Sequence, residues 1–169
     1  MASPNTKPEY RAFVAPRDTL TNRLLTKVTI KYNNNSLETT ALWDTGATNT
    51  CISEDVVRDL SMIPTGKKNM HTASEIKEFN TYLLDVVLTN NVVVQDIEVC
   101  DSDIGKQGLG MLIGMDIILL GDFAISNYNN KTTFTFRTPS KEKIDFVKQI
   151  NIENAIGEKH GKGKRKKKR

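Results

Sequence analysis

Few side chains in this 169-residue sequence have a type and spacing suited to chemistry. The two histidines, His71 and His160, lie far from each other and from Cys51 and Cys100, so no metal-ligand spacing is present and neither zinc nor any other cofactor is expected. Asp101 and Asp103 resemble calcium ligands only loosely, because the loop lacks the remaining positions and a terminal Glu. A nucleophilic Cys51 would need a nearby base, and none is evident, so Cys51 reads as a buried small hydrophobe. What remains is Asp44, in Ala41-Leu42-Trp43-Asp44-Thr45-Gly46-Ala47. An isolated Asp-Thr-Gly is an ordinary turn, with Asp initiating and Gly supplying the unusual backbone angle. Here an apolar strand delivers the Asp, a small residue follows the Gly, and Cys51-Ile52-Ser53 resumes a strand that leads into a helix. Roughly seventy residues downstream, Leu112-Ile113-Gly114-Met115-Asp116 repeats the pattern of an apolar strand running through Gly into a helix.

The elements that must position these residues read as mostly β. LLTKVTIKY (24–32) alternates and is rich in β-branched residues, Asn33 to Ser36 turn the chain, and LETTALW (37–43) returns as a hairpin. Ser53 caps a helix from Glu54 to about Leu60, with Glu54 and Asp55 at the positive end of its dipole. Further strands are expected at 68–73, 78–88, 92–100 and 109–114, then a short helix at 115–120 and a hairpin of 123–126 with 132–137. Ile144, Val147, Ile150 and Ile156 fall near one face of a C-terminal helix. Residues 1–20, with Pro4, Pro8 and Pro16 and no periodicity, read as a flexible leader.

Charge divides the chain. Residues 159–169 carry eight Lys/Arg and no acids, whereas residues 1–158 hold sixteen basic against twenty acidic residues. A net +4 is therefore a mildly acidic body with a +8 appendage, which excludes a basic nucleic-acid-binding core. Like-charge repulsion is expected to keep the tail extended after Gly157. Its charge fits nucleic acid or an anionic surface, and with no aromatic residue it lacks the means for sequence-specific base stacking. Two cysteines and an N-terminus without an apolar run point to a reducing, cytoplasmic setting. Leu109–Phe123 is too short to span a membrane and contains Asp116 and Asp122, so it reads as buried core.

Taken together, DTGA (44–47), the Ile52-Ser53 strand with its helix (52–60), and LIGMD with the following GDFAIS (112–126) resemble the retropepsin-like aspartic proteases, including the domain of the DNA-damage-inducible protein family. The resemblance covers about residues 24–137. It implies a closed β-barrel of the acid-protease fold with short helices, over a domain 21–138; beyond it the sequence itself adds an amphipathic segment (139–157) and the polybasic tail (158–169). It also implies an aspartic endopeptidase acting on peptide or protein substrates. In that chemistry two carboxyl groups about 3 Å apart cannot both ionise, so they share one proton; one activates water and the other protonates the carbonyl. The sequence holds a single DTG, half a site, so the resemblance implies a homodimer with Asp44 from each subunit.

By the same resemblance Thr45 bonds across the dimer axis, Gly46 leaves room for substrate backbone, Ala47 is the small following residue, and Gly114 packs behind the loop. Asp116 sits where relatives carry a polar residue and reads as structural. The sequence departs from the family in two places. Thr48 stands where many viral relatives have Asp, and the flap over the cleft, with Thr72, Ala73, Ser74 and Glu75 at its tip, contains no glycine between Met70 and Lys77. An alternative therefore stands beside the enzyme: a non-catalytic module of the same fold, used for dimerisation or peptide binding, with the basic tail contacting nucleic acid or anionic membrane.

Overall fold

The computed structural model describes residues 9–71 and 76–165. Alternation makes the first hairpin. In β2 (Leu25–Tyr32) Thr26, Val28 and Ile30 turn inward, and the two-residue turn after it is possible because Asn33 takes a left-handed φ of 53°. The return strand β3 (Asn35–Trp43) pairs with β2 from Asn35 to Leu42 and ends on the buried Trp43. After a loop, β4 (Cys51–Ser53) leads into α1 (Glu54–Asp59), whose first turn is capped by Ser53: the Val56 N–H donates to Ser53 Oγ at 3.3 Å.

Next, β5 (Gly66–His71) and β6 (Ile76–Val87) form an antiparallel hairpin, and β7 (Val93–Ser102) returns along β6 with a bulge between Leu84 and Val86. β8 (Met111–Ile113) is followed directly by α2 (Met115–Ile118). The sheet order is β2-β3-β8-β4-β7-β6, and β6 pairs back onto β2 through Thr29↔Val87 to Lys31↔Asp85. That closure makes a six-stranded barrel with β5 attached at its side, the mostly β architecture the sequence leads one to expect. Ile30, Ile52, Val86, Val99, Met111, Ile113 and Ile117 fill it, each essentially inaccessible to solvent.

A second sheet, of which the sequence discloses only the 123–126 and 132–137 hairpin, packs against the barrel. β1 (Arg11–Pro16), β10 (Thr133–Thr138) and β9 (Asp122–Ser126) lie in the order β1-β10-β9, all antiparallel. Its aromatic residues meet the barrel at Trp43: Phe134 and Phe136 lie 5.1 and 4.9 Å from the indole centroid, Phe13 at 5.8 Å and Phe123 at 6.1 Å. The expected leader 1–20 is thus corrected. Its residues 11–16 are an ordered strand because Phe13 has this aromatic cluster to enter.

The C-terminal helix α3 spans Phe146–Arg165, so residues 158–165, expected to be extended, are helical, and 166–169 lie outside the described residues. The side chains from Phe146 to Ile156 are all exposed. Among the described residues no helix is long and apolar enough to cross a membrane.

Candidate active site

The loop 44–50 exists because of strand order. β8 lies between β3, to which it is parallel, and β4, to which it is antiparallel. The chain leaving β3 must therefore pass over the end of β8 to reach β4, and it does so across Gly114 and the start of α2. Asp44 is the first residue of this crossing. Its N–H donates to the Ile113 carbonyl at 2.9 Å, continuing the β3–β8 ladder by one bond. The preceding Trp43 is fixed by its buried ring, whose Nε1–H donates to Thr26 Oγ1 at 2.9 Å.

Within the loop the Gly46 N–H donates to Asp44 Oδ1 at 2.8 Å, and the Ala47 N–H to the Asp44 carbonyl at 3.2 Å. The first bond fixes the carboxyl group through Oδ1. Asp44 is half-buried, while Thr45 and Gly46 are exposed at the loop's outer edge. Ala47 and Thr48 are held by the next element: Met115 N–H donates to the Ala47 carbonyl at 2.8 Å and Asp116 N–H to the Thr48 carbonyl at 3.3 Å.

Gly114 sits behind this loop. A Cβ there would lie 2.6 Å from the Asn49 carbonyl carbon, 2.7 Å from its oxygen and 3.0 Å from the Ala47 oxygen. The backbone angles, φ −92° and ψ −174°, are open to any residue, so space is what selects glycine. The fold brings Asp44, Thr45, Gly46, Ala47 and Gly114 into one small region. The hairpin arms that flank the expected flap are β5 and β6, paired as far as His71↔Ile76. Its tip, Thr72, Ala73, Ser74 and Glu75, lies outside the described residues.

One residue that the sequence does not single out belongs here. Thr50 is fully buried, and its hydroxyl donates to Asp116 Oδ1 at 2.6 Å while accepting the Gly114 N–H at 3.1 Å. Its own N–H donates to Asp116 Oδ2 at 2.7 Å. A threonine in a polar stretch carries no periodic signal, and its partner is 66 positions away.

The cysteines stand opposite each other, Cys51 on β4 and Cys100 on β7. Burial chiefly, and then Cys100, Asp116 and Asp101, push the Cys51 thiol up to about 12, and burial raises Cys100 as well. Thiols held in their protonated form are poor nucleophiles and poor metal ligands. Among the described residues no three His, Cys, Asp or Glu side chains converge as a metal site would require.

This barrel with its crossing loop is the retropepsin-like aspartic protease fold. A retropepsin-like aspartic protease from Rickettsia conorii superposes over 79% of this chain and 99% of its own, with a TM-score of 0.53 at 15% identity. The protease of simian foamy virus (mac) matches 55% of this chain and 89% of its own (TM-score 0.40, 23% identity). EIAV protease complexed with the inhibitor HBY-793 matches 59% and 88% (TM-score 0.43, 20% identity). No curated protein matches the chain closely enough to count as a relative. Residues 28–119 match the model of the family described as "gag-polyprotein putative aspartyl protease", and the chain belongs to that family.

Proposed function

We propose that this protein is an aspartic endopeptidase that hydrolyses peptide bonds as a homodimer, each subunit supplying one Asp44. The observation that supports it is the Asp44 loop itself: a carboxyl group held through Oδ1 by the Gly46 N–H, next to an exposed Thr45, on a rigidly braced crossing. A catalytic carboxylate needs such a mount. A scaffold does not.

Two such loops facing each other across a two-fold axis bring the carboxyl groups close enough to share one proton. The ionised member takes a proton from water, whose oxygen attacks the scissile carbonyl carbon. The protonated member gives its proton to the carbonyl oxygen. Collapse of the tetrahedral species then expels the amine, which leaves with a proton returned by the dyad. The pair titrates as a unit, so its pH–rate profile belongs to the dyad and not to either Asp44. In this reading Thr45, exposed beside each carboxyl, bonds across the axis.

A second reading is a non-catalytic dimerisation or peptide-binding module of the same fold. Thr48 and the glycine-free segment 70–77 favour it. In either reading the eight basic residues of 159–169 suit contact with nucleic acid or an anionic surface, with strong salt dependence. Asp44→Asn separates the two. Under the enzyme reading the variant keeps the wild-type melting temperature and loses cleavage of a peptide library that the wild type cuts. Equal cleavage by both proteins removes Asp44 from the chemistry, and a strict monomer in sedimentation equilibrium at high concentration removes the dyad.

A further inference from the structure

We propose that Thr50 and Asp116 are the positioning pair of Asp44: together they fasten the far leg of the crossing loop and so set the direction of the carboxyl group. The inference rests on the protease reading for its kinetic consequence, and on hydrogen-bond geometry alone for its structural one.

The loop has two legs over the end of β8. Backbone alone fixes the near leg, through Asp44 N–H to the Ile113 carbonyl at 2.9 Å, a bond that any sequence at those positions would make. The far leg, Thr48 to Thr50, has two backbone bonds of 3.3 Å, from Asp116 N–H to the Thr48 carbonyl and from Cys100 N–H to the Thr50 carbonyl, and its shorter bonds involve side chains. Asp116 Oδ2 takes the Thr50 N–H at 2.7 Å, and Asp116 Oδ1 takes the Thr50 hydroxyl at 2.6 Å and the Ile117 N–H at 2.8 Å. The same hydroxyl receives the Gly114 N–H at 3.1 Å, which closes a ring through Thr50, Asp116 and Gly114 under the loop.

Two features separate this arrangement from general support of the fold. First, the ladders on either side stand without it: β3 meets β8 through Ala41↔Met111 to Trp43↔Ile113, and β4 meets β8 through Cys51↔Leu112 and Ile52↔Met111. Losing the ring therefore leaves the barrel paired and loosens the far leg, which then rests on its two backbone bonds of 3.3 Å. Second, Thr50 has no exposed surface, so its hydroxyl and the Gly114 N–H have no water to replace each other. A valine at position 50 keeps the shape and deletes both bonds, and a serine keeps both bonds.

The experiment uses the full chain with Thr50→Val, Thr50→Ser and Asp116→Asn. Sedimentation and thermal melting first establish that each variant is folded and associates as the wild type does. Amide hydrogen exchange then reads the loop directly, and this needs no substrate. Faster exchange confined to 44–50 in Thr50→Val and Asp116→Asn, with Thr50→Ser like the wild type, is the expected result. On a peptide that the wild type cleaves, Thr50→Val is expected to lose about 100-fold in kcat, the scale of a 1 Å misplacement, with KM little changed and Thr50→Ser restoring the rate.

Wild-type exchange at 44–50 in Thr50→Val overturns the pair, whatever the activity. Exchange that rises equally throughout the barrel overturns it too, since the role would then be stability in general. If no peptide is cleaved even by the wild type, the protease reading fails while the exchange result still decides this one. Should the valine variant fail to fold, the comparison of Asp116→Asn with the wild type carries the same decision.

Discussion

The sharpest perturbation of the site is a single methyl group, Gly114→Ala. The backbone at 114 accepts alanine, since φ is −92° and ψ −174°. Space does not. The new Cβ would stand 2.6 Å from the Asn49 carbonyl carbon, where ordinary contact begins at 3.4 Å, so roughly 0.8 Å of separation must be found. The obstacle is backbone with no rotamer to change, and that backbone is tied to Met115, Asp116 and Gly114 itself. Overpacking of this kind costs about 1–3 kcal/mol, each kcal/mol lowering Tm by roughly 2–4 °C for a chain of this size.

Displacement of the loop by close to an ångström is expected to lower kcat about 100-fold, equivalent to about 2.7 kcal/mol of barrier. The assay is a melt together with cleavage kinetics normalised to folded dimer. Gly108→Ala is the control. There φ is +71° with nothing within 4 Å of the added carbon, so it strains the backbone without touching the loop. That control should lose stability by about 1 kcal/mol and keep its kcat. A Gly114→Ala protein that melts lower yet cleaves at the wild-type rate would refute the claim that Gly114 sets the loop.

Two further outcomes follow from titratable groups. Asp122 accepts hydrogen bonds from Ser140 Oγ at 2.5 Å, the Lys141 N–H at 3.0 Å and the Arg137 guanidinium, and these, in that order, hold its carboxyl at about 2. A carboxyl depressed by folding adds stability above its ordinary value near 3.8, and that contribution is lost as the pH falls through the folded value. Asp122→Asn should therefore melt below the wild type at pH 6, and the gap should close as the pH drops from about 4 toward 2; a gap independent of pH would contradict this. With the Cys51 thiol near 12, only roughly one molecule in ten thousand is thiolate at pH 8, so iodoacetamide should label the native protein slowly and the denatured protein fast. Mass spectrometry checks this, and rapid native labelling of Cys51 would show the burial to be wrong.

What the sequence discloses follows from the range over which each signal acts. Alternation in 25–32, the Ser53 cap and the Asn33 turn are local, and they stand where the residues lead one to expect. The aspartyl loop and the Leu112-Ile113-Gly114 strand are legible because each carries a steric demand within a few residues. β1 is not legible, since its only inward-facing apolar residue of any size is Phe13, and the strand it joins begins at Thr133. Barrel closure through β2 and β6 rests on three residue pairs and leaves no mark in either strand. The Thr50–Asp116 ring is hidden for a different reason: hydroxyl and carboxylate side chains are common on surfaces, and only the crossing over β8 turns this pair inward.

The origin of the loop's rigidity bears on how the proposed dimer would work. Asp44, Gly46, Ala47, Thr48 and Thr50 already carry these hydrogen bonds in the single chain. Association then has no loop to build and need only bring two finished half-sites together, which spares the ordering cost that binding usually carries. Activity per dimer should accordingly be constant with concentration, while activity per chain rises steeply where monomer predominates. A site assembled by folding on contact would instead show the 44–50 amides exchanging freely in the monomer. The bonds already present in the single chain favour the first behaviour for the proposed dimer.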